Sequence, residues 1–86
     1  MIRLRRCILQ TLYDLFKKYP YAQVELAQLL EACQADTETL NWNMVYLEKA
    51  GFVELSKAVD MPPFIACSVS ITAAGIDLIE NEEKFY

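Results

Sequence analysis

The sequence predicts a mainly α domain with three helices, a two-stranded β-hairpin and a closing helix, in that order. Three observations carry this prediction. Apolar residues recur at three- and four-residue steps through residues 2–19, 23–33 and 36–50, the period of one helix face. Between Phe64 and Ile71 that period gives way to alternation: Ile65, Cys67, Val69 and Ile71 against Ala66, Ser68 and Ser70, as a half-buried strand requires. Residues that end regular structure, Pro20, Gly51 and the pair Pro62-Pro63, fall between these segments.

In the first helix, Leu4, Ile8, Leu12, Leu15 and Tyr19 mark one face, and Cys7, Leu9, Tyr13 and Phe16 widen the apolar surface beyond it. A helix so apolar around its circumference is covered on more than one side, here by the last helix or by a second copy of the chain. Pro20 ends it, because the residue before proline avoids the helical region. The second helix, residues 23–33, has Val24, Leu26, Ala27, Leu29 and Leu30 as its apolar positions. After a short link at Gln34-Ala35, Asp36 or Thr37 caps the third helix through a side-chain oxygen, and Glu38 suits the positive end of the helix dipole. This helix runs to about Ala50, where Gly51 supplies a left-handed C-terminal cap. Residues 52–56 form a strand, Asp60-Met61-Pro62-Pro63 the turn and residues 64–71 the return strand. Thr72 then caps a last helix reaching about Glu83, with Ile76 and Ile79 facing inward.

Composition narrows the function classes. The 86 residues suit one domain, residues 1–86, and a hydrophobic share of 55% against 23% charged excludes disorder. No apolar run approaches the roughly 20 residues of a membrane span. The basic start Arg3-Leu4-Arg5-Arg6 does not lead into a signal peptide, because Gln10, Asp14 and Lys17 break any long apolar segment after it. A soluble cytoplasmic protein is expected. The three cysteines, Cys7, Cys33 and Cys67, are odd in number and widely spaced, which fits neither a disulfide framework nor a zinc site; each is expected to fill the core as a small apolar group. The absence of histidine removes the usual general base and the commonest nitrogen ligand. With no Gly-rich phosphate loop, nucleophile elbow or metal-ligand cluster, neither an enzyme, a cofactor nor a metal is expected.

Three segments carry a resemblance. Glu25-Leu26-Ala27-Gln28-Leu29-Leu30 is similar to the eLAxxL of the second helix of winged helix-turn-helix regulators of bacteria and archaea. Tyr46-Leu47-Glu48-Lys49-Ala50-Gly51-Phe52-Val53-Glu54 is similar to the LExxGlve that leaves their recognition helix. Ile71-Thr72-Ala73-Ala74-Gly75-Ile76-Asp77-Leu78-Ile79 resembles the lTxxGxxxl found after the wing. The three occur in the family's order and cover most of residues 22–80. One departure stands out: the turn between helices two and three, which often holds a glycine, reads Ala32-Cys33-Gln34-Ala35.

The resemblance implies a winged helix-turn-helix that binds double-stranded DNA, a small transcriptional regulator whose third helix enters the major groove. At about 100° per residue from Leu40, Met44 and Leu47 fall within about 40° of it, whereas Glu38, Trp42, Val45 and Lys49 point away at about 140–200°. Thr39, Asn41 and Tyr46 lie on the flanks. Thr39, Asn41, Trp42, Tyr46 and Lys49 are therefore the expected contact surface, with Val45 beside them and Lys57 on the wing. The Asn41 amide matches an adenine edge, and Lys49 suits a phosphate. A homodimer through helices one and four would present two such helices to a two-fold site.

Charge supports a different reading. The net charge is −4, and Asp36, Glu38 and Glu48 outnumber Lys49 on the third helix. Cations gather instead on the first helix, as Arg3, Arg5, Arg6, Lys17 and Lys18. Trp42, Val45, Tyr46 and an apolar wing suit a protein partner, so the alternative is a winged-helix interaction module that does not bind DNA.

Overall fold

The computed structural model describes residues 2–56 and 68–84. Helix α1 (Ile2–Lys18) buries Ile8, Leu9, Leu12 and Tyr13 along one stripe. Tyr19, expected on that stripe, lies past the end of the helix and is exposed. The second cover of α1 is the last helix, α4 (Ala73–Lys84). Tyr13 donates its hydroxyl proton to the Glu80 carboxylate at 3.0 Å, and the Lys17 ammonium sits 4.9 Å from the centre of the Tyr13 ring. No helix among the described residues is long and apolar enough to cross a membrane.

The segment expected to open the second helix is a strand. β1 (Val24–Glu25) precedes α2 (Leu26–Cys33) and pairs antiparallel with β3 (Ser68–Ile71), Val24 opposite Val69. Among the described residues the sheet thus has three strands in the order β1-β3-β2, with β2 at Val53–Ser56, in place of the expected two. The expected turn at Asp60-Met61-Pro62-Pro63 and the expected first residues of the return strand, Phe64 to Cys67, lie outside the described residues. Helical periodicity counts Val24 as one more apolar position. Its β-branched side chain, however, packs well on a pleated surface, and β3 would otherwise offer an unpaired edge there. The Gln28 side chain accepts a hydrogen bond from the Glu25 N–H at 3.1 Å, so the helix begins only after Glu25.

α2 ends on Gln34, whose backbone is left-handed at φ 50°. A non-glycine residue is strained in this region, and Gln34 lies in the turn where the family resemblance leads one to expect a glycine. Replacing Gln34 by Gly should stabilise the protein by about 0.5–1 kcal/mol, the relieved strain less the added freedom of glycine in the unfolded chain. Thermal melts check this, and a loss of stability would mean that the Gln34 side chain contributes more than its backbone strain costs.

α3 (Thr37–Lys49) starts at Asp36, whose carboxylate accepts the Thr39 backbone N–H at 2.7 Å and the Thr39 hydroxyl at 2.9 Å. The backbone bond, then the hydroxyl, hold the Asp36 carboxyl below its ordinary pKa. A depressed folded pKa adds stability above the unfolded value, about 3.9 for aspartate, and that stability is lost as pH falls through the folded value. Asp36→Ala should therefore melt below the wild type at pH 7, and the gap should close on acidification below about pH 3.9. A gap that stayed constant with pH would remove the carboxylate from the account.

At its other end α3 closes in a Schellman motif: the Phe52 N–H reaches the Leu47 carbonyl and the Gly51 N–H the Glu48 carbonyl, each at 2.9 Å. Gly51 takes φ 87°, as expected of this cap. The turn is tied directly to α4. The Thr72 hydroxyl donates to the Gly51 carbonyl at 2.6 Å and accepts the Gly75 N–H at 3.2 Å, and the Thr72 N–H donates to the Phe52 carbonyl at 3.0 Å. Val24, Leu29, Leu40, Met44, Leu47, Val53, Val69 and Ile79 complete the core with the α1 stripe.

The expectation that all three cysteines are isolated core fillers is corrected. Cys7 and Cys33 form a disulfide, with their Cα atoms 5.9 Å apart. Motif spacing does not detect it, because the two lie 26 residues apart and meet only when α2 packs against α1. An odd total does not prevent one pair from forming. Cys67 lies outside the described residues.

Candidate functional site

The outward face of α3 is where the predicted site residues meet the structure. Trp42 is 63% exposed and Tyr46, one turn further on, 48% exposed. Val45 between them is half-buried, while Glu38 and Lys49 are exposed at either end. These side chains share a face because the opposite face, with Leu40, Met44 and Leu47, is fully committed to the core.

The expectation for Asn41, a base edge within reach of its amide, is corrected. Only 3% of its surface is exposed, and its Oδ1 is buried with no hydrogen-bond partner among the described residues. At about 100° from Leu40 the side chain would sit at the rim of an isolated helix; within the domain that rim is covered. Its amide cannot read a base without a rearrangement of its surroundings.

Asn43, only 5% exposed, is a positioning residue that periodicity alone does not single out. Its amide N–H donates to the Thr39 carbonyl at 2.8 Å, and its Oδ1 accepts the Arg5 Nε–H at 2.9 Å. So held, the Arg5 guanidinium lies 3.6 Å from the centre of the Tyr46 ring, a cation–π contact. Arg5 therefore belongs to the α3 surface, although the sequence places it only in a cluster of cations on the first helix. The signal that it carries, a planar cation near an exposed aromatic, becomes visible only once α1 is docked against α3.

Thr39 is half-buried at its edge of the helix, and its N–H and hydroxyl are both engaged by Asp36, so it caps the helix rather than offering free polar groups. Lys57 lies outside the described residues. The site that the fold assembles is thus Trp42, Val45, Tyr46 and Arg5, with Glu38 and Lys49 at its ends. Its charges are mixed, and the Asp36 carboxylate stands at the N-terminus of α3. Among the described residues, no group of three or more His, Cys, Asp or Glu is placed to hold a metal ion.

Comparison of the chain with protein-family models, with curated proteins and with solved structures finds no match.

Proposed function

We propose that this chain is a winged-helix interaction module that docks a protein partner on the outward face of α3. The observation that carries the proposal is the pair of exposed aromatics, Trp42 at 63% and Tyr46 at 48%, on one helix face. Tryptophan, tyrosine and arginine dominate the energetic centres of protein interfaces. The Tyr46 ring is held in advance by Arg5, which in turn is held by Asn43, so less side-chain freedom is lost on binding.

The competing reading, a DNA-binding regulator of the winged-helix kind, asks more of this surface than its charges supply. Duplex binding draws its affinity from phosphate neutralisation. Here Asp36, Glu38 and Glu48 offset Lys49 and Arg5, and the Asp36 carboxylate occupies the end of α3 that such proteins direct into the groove. The Arg5 guanidinium already has partners within the domain. The helix-turn-helix geometry favours the DNA reading in the absence of charge considerations, so the test must separate the two.

A photo-crosslinking residue at position 45, with position 77 on α4 as the control, provides one arm in native extract. The expected result is one protein adduct at 45, displaced by excess wild-type chain but not by Trp42→Ala. Titration with random duplex DNA at about 50 and 200 mM salt provides the other arm. Tight binding that weakens steeply with salt would overturn the proposal in favour of the DNA reader.

A further inference from the structure

We infer that Cys7 and Cys33 form a reversible thiol–disulfide site, open to low-molecular-weight thiols, that clamps the start of α1 to the turn leading into α3. Three observations place it. The pair joins α1 to the last residue of α2, immediately before the strained Gln34. Both cysteines line an open surface cleft of about 370 Å³, so the bond is not sealed in the core. Arg3, one turn before Cys7, lines the same cleft and offers a cation to an approaching anionic thiol, although Asp36 on the cleft wall partly offsets it.

The fold also accommodates the reduced form. Cys7 Sγ stands 3.8 Å from the Ala32 carbonyl and 4.0 Å from the Thr11 hydroxyl. Once the sulfurs have moved apart and Cys7 is protonated, its thiol therefore has an acceptor within reach.

The exchange proceeds in two balanced steps. A small-molecule thiolate attacks one sulfur of the Cys7–Cys33 bond, which breaks; one cysteine becomes a mixed disulfide and the other a thiolate that takes up a proton. A second small thiolate attacks the mixed disulfide, releasing the small-molecule disulfide and the second protein thiol. Two electrons and two protons thus enter the protein from two small thiols, and oxidation by the small-molecule disulfide is the reverse. The site does not depend on what α3 binds, and its test involves no partner.

The test uses the full chain with Cys67→Ser, which leaves two of its three cysteines, and glutathione in its two redox forms as the probe. Oxidised glutathione should join Cys7 to Cys33, protecting both from alkylation, and should raise the melting temperature by roughly 10–20 °C, given the length of the loop closed. Reduced glutathione should return both thiols without denaturant. Adding Cys33→Ser should leave Cys7 as a mixed disulfide with glutathione in the folded chain. Failure of the bond to form, reduction only in denaturant, or a Cys7 that resists glutathione would each overturn the inference. If Cys67→Ser does not fold, peptide mapping of the wild-type chain after the same treatments gives the same decision, because it identifies which cysteines are joined.

Discussion

Gly75→Ala is expected to be among the most destabilising single substitutions in this protein, costing about 3 kcal/mol through overpacking. A Cβ built at Gly75 runs into the Phe52 carbonyl oxygen, a backbone atom, and comes within 2.8 Å of Ile71 Cγ1. The carbonyl cannot swing aside cheaply, because it accepts the Thr72 N–H at 3.0 Å. α4 would have to lift away from the α3–β2 turn, taking Ile79 out of the core. For a domain of this size, whose whole stability is about 4–13 kcal/mol, that is a large fraction and lowers the melting temperature by roughly 10–20 °C. Gly51→Ala is the control: it has φ 87° but nothing within 4 Å of an added Cβ, so it should cost only backbone strain, about 1–2 kcal/mol. Equal or inverted costs in thermal melts would show that α4 is not held as closely as described.

Trp42→Ala is expected to weaken partner binding at least 30-fold, equivalent to about 2 kcal/mol for an interface anchor, while leaving stability within about 0.5 kcal/mol, as for an exposed residue. The two readouts separate a binding role from a structural one. Arg5→Lys sharpens the comparison. Lysine keeps the charge but loses the planar group that lies over Tyr46, so it should weaken partner binding and leave any duplex binding by charge nearly unchanged. A Trp42→Ala protein that melts far below the wild type would mean that the indole packs within the domain rather than against a partner.

The motifs that carry the family resemblance prove to describe one joint of the fold. Gly51 and Phe52, from the second motif, meet Thr72 and Gly75, from the third, through two hydrogen bonds and a close backbone approach. They are legible in the sequence because few residue types satisfy such local geometry: a left-handed cap, a hydroxyl bridging two turns, a helix packed with no room for a Cβ. They explain how α4 seats against the start of β2, and they leave open what α3 binds. The site residues obey a different rule. Trp42 and Tyr46 are assignable to the outward face from angle alone, because Leu40, Met44 and Leu47 define the inward one. The same method misplaces Asn41, since an angle measured on an isolated helix says nothing about what covers its rim.

The sequence by itself determined the elements whose causes are local: the ends of α3 and α4, the Asp36 and Gly51 caps, and the aromatic outward face of α3. Tertiary structure alone decided whatever depended on two distant segments meeting. Val24 became a strand residue because β3 offered it a partner, and Arg5 joined the α3 surface because Asn43 and Tyr46 stood opposite it. Cys7 found Cys33 across 26 residues. The physical reason is one of range. Capping, turn chemistry and periodicity act over one or two turns of chain, whereas pairing and burial are fixed only when α1 packs against α2, α3 and the sheet.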